Sequence, residues 1–300
     1  MNNRISNYFV KANTINHSQI EYVNTPIMSD AKLFIDPVLI ETGISSFCKT
    51  AKIKLADYFK ELHRAYYTNN DDLRKRLLLS HAQEINDSHL GYAKKYGHGN
   101  TENGLFDIFK GIDEYVNSVK ISRLYELVLY IPNFAEDGMS DLLTNVLYKE
   151  LSEFTLAQCK KQNIKTFKCP EERYFWDIET HSWKKYEGES LLIDDKICLL
   201  IPKEIVQTHY RFTTDNFLRS VIVENICEEA AIITKDGKKD RPHKDKVREQ
   251  LIDANGSIFE TIRYYAKQDN ALLQQYQRIV DHKYQTMQLN DDTLDTILYS

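Results

Sequence analysis

The chain has 300 residues, 42% of them apolar and 28% charged, with only ten glycines and six prolines. These values describe a soluble globular protein of one large or two ordinary domains, and they exclude a disordered or collagen-like chain. A net charge of −5 excludes a whole-surface attraction to nucleic acid or to an anionic membrane, though not a local basic patch.

The five cysteines (Cys48, Cys159, Cys169, Cys198, Cys227) are widely spaced, odd in number and form no CxxC pair. That pattern reads as reduced thiols in a cytosol. The N-terminus has no apolar core of signal-peptide length, and no run approaches the roughly 18 apolar residues of a membrane helix. The expectation is a cytoplasmic protein with no membrane contact. Nineteen tyrosines, many beside Lys or Arg, suit core edges and interfaces.

In chain order, Leu33-Phe-Ile-Asp-Pro-Val-Leu-Ile40 reads as a buried strand ended by its proline. Helical spacing follows over 51–68 and again over 71–84, behind Asp71-Asp72. Residues 91–104 hold four of the ten glycines, suited to turns and close backbone approach. A helix is expected over 104–118, and a helix end followed by a strand over 123–131. Asp141 to Lys161 is the clearest helix, with Ser140 or Asp141 as its cap. Strands are expected at Tyr174–Asp177, Ser182–Lys184, Ser190–Ile193 and Lys196–Ile201, with Asp194-Asp195 as a tight turn. Asp215 to Ala230 reads as a helix, 235–246 as a charged linker or hairpin tip, and 245–288 as largely helical with a break at Gly256. The last dozen residues are polar and expected to fray.

Several strings then recur in a recognisable order: Leu33-Phe-Ile-Asp-Pro37, Leu90-Gly-Tyr-Ala-Lys-Lys-Tyr-Gly-His-Gly99, Asp137-Gly-Met-Ser-Asp-Leu-Leu-Thr-Asn145, Phe154-Thr-Leu-Ala-Gln-Cys159, Trp176 with Trp183, and Leu199-Leu-Ile-Pro-Lys-Glu-Ile-Val206. The ordered set resembles the N-terminal region of a family of uncharacterised bacterial proteins. Longer members of that family append a restriction-endonuclease-like PD-(D/E)XK domain. The resemblance spans about 30–225 and implies an association with bacterial defence against phage and plasmids. Residues 230–300 carry no nuclease cassette.

Four sets of residues can carry chemistry. Asp36 and Asp141 are candidate Mg²⁺ ligands, joined by Asp137 and Asn145, with Lys203 to stabilise developing charge in phosphodiester cleavage. Against this, Asp-Pro is a common turn, Asp141 a good cap and Lys203 an ordinary solvated lysine. Arg76-x4-His81 resembles the Arg/His motif of HEPN-type ribonucleases, although expected strands fit that all-helical fold poorly. Lys94, Lys95 and His98, with Asn145, are candidates for gripping a nucleic-acid backbone. No phosphate-loop signature accompanies them, and a surface turn is the plainer reading. The basic run 235–248 is interleaved with aspartates and reads first as a solvated linker. His89 and His243 lack partners at zinc spacing.

The expected architecture is α+β: a mixed sheet from 33–37, 125–131 and 174–201 flanked by helices, with a helical C-terminal region. Residues 1–230 form the core module and 231–300 the region after the linker. The expected function is recognition of nucleic acid, or of a partner protein from the same operon, in connection with a nuclease. A metal-dependent nuclease and a non-catalytic scaffold stand as alternatives, and self-association is left open.

Overall fold

The long central helix of the fold grows from a simple apolar repeat, and the smaller elements assemble around it. The computed structural model describes residues 4–9, 15–78, 81, 85–91, 109, 123–132, 134, 136–284 and 288–299. Most of the glycine-rich stretch, including Lys94, Lys95 and His98, and most of the helix expected over 104–118 lie outside the described residues.

The chain opens with a short helix, α1 (Ile5–Phe9), and a 3-10 turn at His17–Gln19. The segment expected as one strand over 33–40 divides instead. Only Phe34–Ile35 is extended (β1), and Pro37–Thr42 is a helix (α2). Asp-Pro here is a helix start: Asp36 caps α2, and Pro37 supplies a φ already suited to the first turn.

Ser45 caps α3 (Ser46–Tyr67), and Cys48, Ala51, Leu55, Tyr58, Leu62 and Ala65 form its buried face at three- and four-residue spacing. The next helix, α4 (Asp71–Leu78), returns across it. Buried Arg74 donates to the carbonyls of Ala65 and Tyr66 and so closes the end of α3.

Leu124–Leu129 is a 3-10 helix, not the expected strand, and all six of its residues are buried. Burial on all sides leaves no periodicity to distinguish helix from strand. The helix expected over 141–161 starts earlier and is broken. It comprises α5 (Glu136–Val146) and α6 (Tyr148–Lys161), joined at Leu147. Ser140 is therefore inside a helix, and its hydroxyl accepts the Ile35 N–H at 3.1 Å.

The β elements follow as β2 (Phe167–Lys168), β3 (Tyr174–Asp177), β4 (Ser182–Lys185), β5 (Glu189–Ile193), β6 (Lys196–Cys198) and β7 (Val206–Gln207). The single mixed sheet is replaced by small antiparallel sheets: β1–β7, β2–β5–β6 and β3–β4. The strands are only two to five residues long and pair in these separate antiparallel sets. The β5–β6 turn is as expected, with Asp194 and Asp195 at φ 50° and 62°. In the β3–β4 hairpin Trp176 faces Trp183. The Trp176 indole donates to Asp57 of α3 at 2.8 Å and that of Trp183 to the Leu77 carbonyl of α4 at 3.2 Å. The hairpin is thus fastened to both helices.

Thr214–Phe217 (α7) runs through a π-helical turn at Leu218–Ile222 into α8 (Val223–Glu229). The charged segment is a hairpin of β8 (Ile232–Ile233) and β9 (Lys239–Asp240). Then come α9 (Lys244–Asn255), α10 (Ile258–Gln268), α11 (Ala271–Tyr284) and α12 (Asp291–Tyr299), with Gly256 at φ 84° between the first two. The residues expected to fray are instead a docked helix, with Leu294 and Leu298 buried. Ile262, Tyr276 and Leu294 share one continuous apolar cluster with Leu55, Leu142 and Trp176, so the C-terminal helices pack on the core module. No helix among the described residues is long and apolar enough to cross a membrane.

Candidate functional site

Parts of four of the strings that carry the family resemblance meet around β1. Ala31 donates to the His89 carbonyl at 2.9 Å and accepts from the Gly91 N–H at 3.0 Å. Gly91 has φ +132°, and a Cβ there would lie 2.8 Å from Asp137 Oδ1. Glycine is required on both counts. The Asp36 N–H donates to the Ile205 carbonyl at 2.8 Å. The Tyr210 hydroxyl donates to the carbonyls of Ile35 (2.5 Å) and Glu136 (3.2 Å). Residues 31–36, 89–91, 136–140 and 205–210 therefore form one knot.

This brings Asp36 and the α5 start, with Asp137 and Asp141, to the same strand. Asp36 is wholly buried, and its Oδ1 accepts the Val38 N–H at 2.8 Å as the cap of α2. Asp141 is half-buried, and its carbonyl accepts from the Asn145 amide at 3.0 Å. Lys203 is directed elsewhere: its ammonium donates to Asp291 at 2.5 Å and to the His17 carbonyl at 2.8 Å. Among the described residues, no group of three or more His, Cys, Asp or Glu side chains is placed to hold a metal ion.

A cavity opens beside α5. It is a cleft of about 990 Å³ between the 27–30 segment, residues 81–89, the approach to β3, and β5–β6, and Asn145 lines it. Its inner wall is held by Asp87, which is 5% exposed. The Arg173 guanidinium meets Asp87 with two hydrogen bonds, Nε to Oδ2 at 2.8 Å and a terminal nitrogen to Oδ1 at 2.9 Å. Arg173 also pairs with Glu171 at 2.7 Å. Burial pulls the Arg173 pKa down, but the bonds and charge of Asp87, with Glu171, outweigh it and hold the group above its ordinary value. The Tyr148 hydroxyl donates to Asp87 at 3.2 Å. Burial, followed by the Asp87 charge, keeps that phenol from ionising.

The other walls carry two histidines. His81 stacks on Tyr174 with ring centroids 3.7 Å apart and meets the Trp183 ring edge-on, and burial lowers its pKa. Its ring is thus an aromatic packing element of the cleft wall. His89 sits at φ 53°, and burial lowers its pKa as well. Among the described lining residues, five carboxylates (Asp30, Asp87, Glu171, Glu172, Asp194) stand against two permanent cations, Arg173 and Lys196.

Sequence reasoning pointed to Asn145 and His81 but missed Asp87, Tyr148, Arg173 and Tyr174. Asp87 lies 61 residues from Tyr148 and 86 from Arg173. The one local signal is Glu171-Glu-Arg173 immediately before a strand, which alone does not identify a partner.

An α+β fold of small antiparallel sheets among helices, with a carboxylate-rich cleft, defines the class of this protein. The chain belongs to the family described as a domain of unknown function (DUF8370), which matches residues 14–213. That span includes every residue named in the cleft. No curated protein matches the chain, and no solved structure does.

Proposed function

We propose that this chain is a recognition module that takes a basic segment of a partner protein into the cleft and works beside a nuclease in the bacterial cytoplasm. The observation that carries this reading is the excess of carboxylates in the cleft, whose half-buried cation Arg173 is already engaged by Asp87 and Glu171. Such a lining attracts ammonium and guanidinium groups and repels a phosphate backbone. The Tyr174–His81 wall adds flat aromatic surface of the kind cations pack against. The link to a nuclease and to defence against phage and plasmids rests on the resemblance of the ordered strings.

The test is fluorescence anisotropy with a labelled arginine-rich nonapeptide and, separately, a single-stranded oligonucleotide. The peptide is expected to bind in a salt-sensitive manner. Asp30→Asn and Glu171→Gln should weaken it several-fold, while Glu249→Gln, on an exposed helix face, should not. Retention of the oligonucleotide but not the peptide would overturn the reading and favour nucleic-acid recognition through Lys94, Lys95, His98 and Asn145.

A second reading, a Mg²⁺-dependent nuclease using Asp36 and Asp141, draws support from the gathering of Asp36 and the α5 start at β1. In that case Asp141→Ala abolishes cleavage of a nucleic-acid substrate and leaves the fold intact.

A further inference from the structure

The earliest and latest described elements of the chain meet. Helix α12 lies against the 3-10 turn His17–Gln19 with Leu294 and Leu298 buried, and fully buried His17 occupies the contact. The His17 backbone N–H and its ring Nδ1 both engage Asp295 Oδ1, at 3.1 and 2.6 Å. Its Nε2 accepts the Asn24 backbone N–H at 3.1 Å. A backbone N–H only donates, so Nε2 carries no proton and the ring is neutral, with its hydrogen on Nδ1. The ring stacks on Tyr299 at 5.5 Å, and the Tyr299 hydroxyl donates to the Ile15 carbonyl at 2.7 Å. Arg4 donates to the Leu298 carbonyl and lies 4.0 Å over the Tyr299 ring.

We infer that α12 is an acid-releasable clasp: proton uptake by His17 detaches the Asp291–Tyr299 helix while the rest of the fold stays closed. A second ring proton, on Nε2, would point at the Asn24 N–H and replace an attraction with two opposed donors in a buried site. The charges that face His17 come from two elements. Asp291 and Asp295 of α12 favour the imidazolium, and Lys203, from the 3-10 turn Lys203–Ile205, opposes it. Arg4, from the chain just before α1, adds a further cation beside Tyr299 and Asp295. The carboxylates offset the cost of burial only in part, so the docked ring titrates below the ordinary histidine range. Once released, His17 returns to a value of about 6.5. The open state then binds the proton more tightly than the closed one. The clasp is therefore closed above that pH and opens as pH falls, by at most about tenfold per pH unit for one linked proton.

Hydrogen exchange on the full chain between pH 7.5 and 5.0, corrected for intrinsic rates, tests this. Amides of residues 291–299 are expected to lose protection below about pH 6.5, approaching tenfold per unit, and to exchange much faster than those of α3. His17→Gln offers Asn24 an acceptor and cannot take up a proton, so it should hold α12 protected across the range. Should that variant not fold, Asp295→Asn weakens the closed state and should move release to higher pH. The inference is overturned if 291–299 stay protected to pH 5.0 or exchange no faster than α3 at pH 5.5. It is also overturned if His17→Gln keeps the wild-type pH dependence, or if Asp295→Asn leaves the release pH unmoved.

Discussion

Asp87 and Arg173, 86 residues apart, are joined by two hydrogen bonds of 2.8 and 2.9 Å, and neither side chain is more than 16% exposed. The pair links the 3-10 turn at 86–88 to the start of β3, and the Asp87 carbonyl also accepts the Leu199 N–H at 2.7 Å. One ion pair thus fixes the inner wall of the cleft. Replacing Arg173 with Met leaves the Asp87 carboxylate buried with Tyr148, among the described residues, as its remaining side-chain donor. Loss of one partner of a buried pair costs about 3–5 kcal/mol, so Arg173→Met should lower the urea midpoint markedly. The double variant Asp87→Leu with Arg173→Met should recover part of that loss.

Asp36 offers a clean separation between cap and metal ligand. As the cap of α2, its replacement by Ala should cost about 1 kcal/mol, equally in Mg²⁺ and in EDTA. If Mg²⁺ raises the melting temperature of the wild type but not of Asp36→Ala, Asp36 binds metal and the nuclease reading gains.

At Gly91, φ +132° and the nearness of Asp137 act together. Gly91→Ala places a methyl group 2.8 Å from Asp137 Oδ1 in a backbone conformation that alanine resists. The expected loss is about 1–3 kcal/mol, read by chemical denaturation. Asp137→Ala in the same background should return some of it.

His81 and His89, both lowered by burial, set the acid sensitivity of the cleft region. Unfolded, each has a pKa of about 6.5, so below that pH the unfolded chain binds protons that the native chain refuses. Stability from these groups is complete above that value and is lost as pH falls toward the native pKa. Each linked proton contributes at most about 1.4 kcal/mol per pH unit. Thermal melts at pH 7.5 and 5.5 should show the drop, and His81→Phe, which keeps a ring against Tyr174, should reduce it.

Local chemistry explains which parts were legible in the sequence. The α3 face, the Asp194-Asp195 turn and the two Trp strands depend on neighbours within a few residues, and they stand where periodicity and turn chemistry place them. Asp36-Pro37 reads as a strand end in the sequence because proline signals both a stop and a helix start, and the Val38 N–H on Asp36 decides between them. The 124–129 run carries no period because every side is buried. The last helix looked like a polar tail because Asp291 and Asp295 find their partners, Lys203 and His17, 88 and 278 residues away. The cleft is hidden for the same reason: its ion pair joins residues 86 positions apart. Asn145 was found because it lies in a string dense with polar residues.

The meeting of Arg4 with Leu298 and of His17 with Asp295 also bears on how the chain is made. Closing a loop of that span in an unfolded chain costs on the order of 5 kcal/mol, so these contacts form only once the intervening core has drawn the two segments together. At roughly 5–20 residues per second, residues 4–25 leave the ribosome tens of seconds before Asp291 is synthesised. Throughout that interval the bonds of His17 with Asp295 and of Asn24 with Tyr299 are unmade.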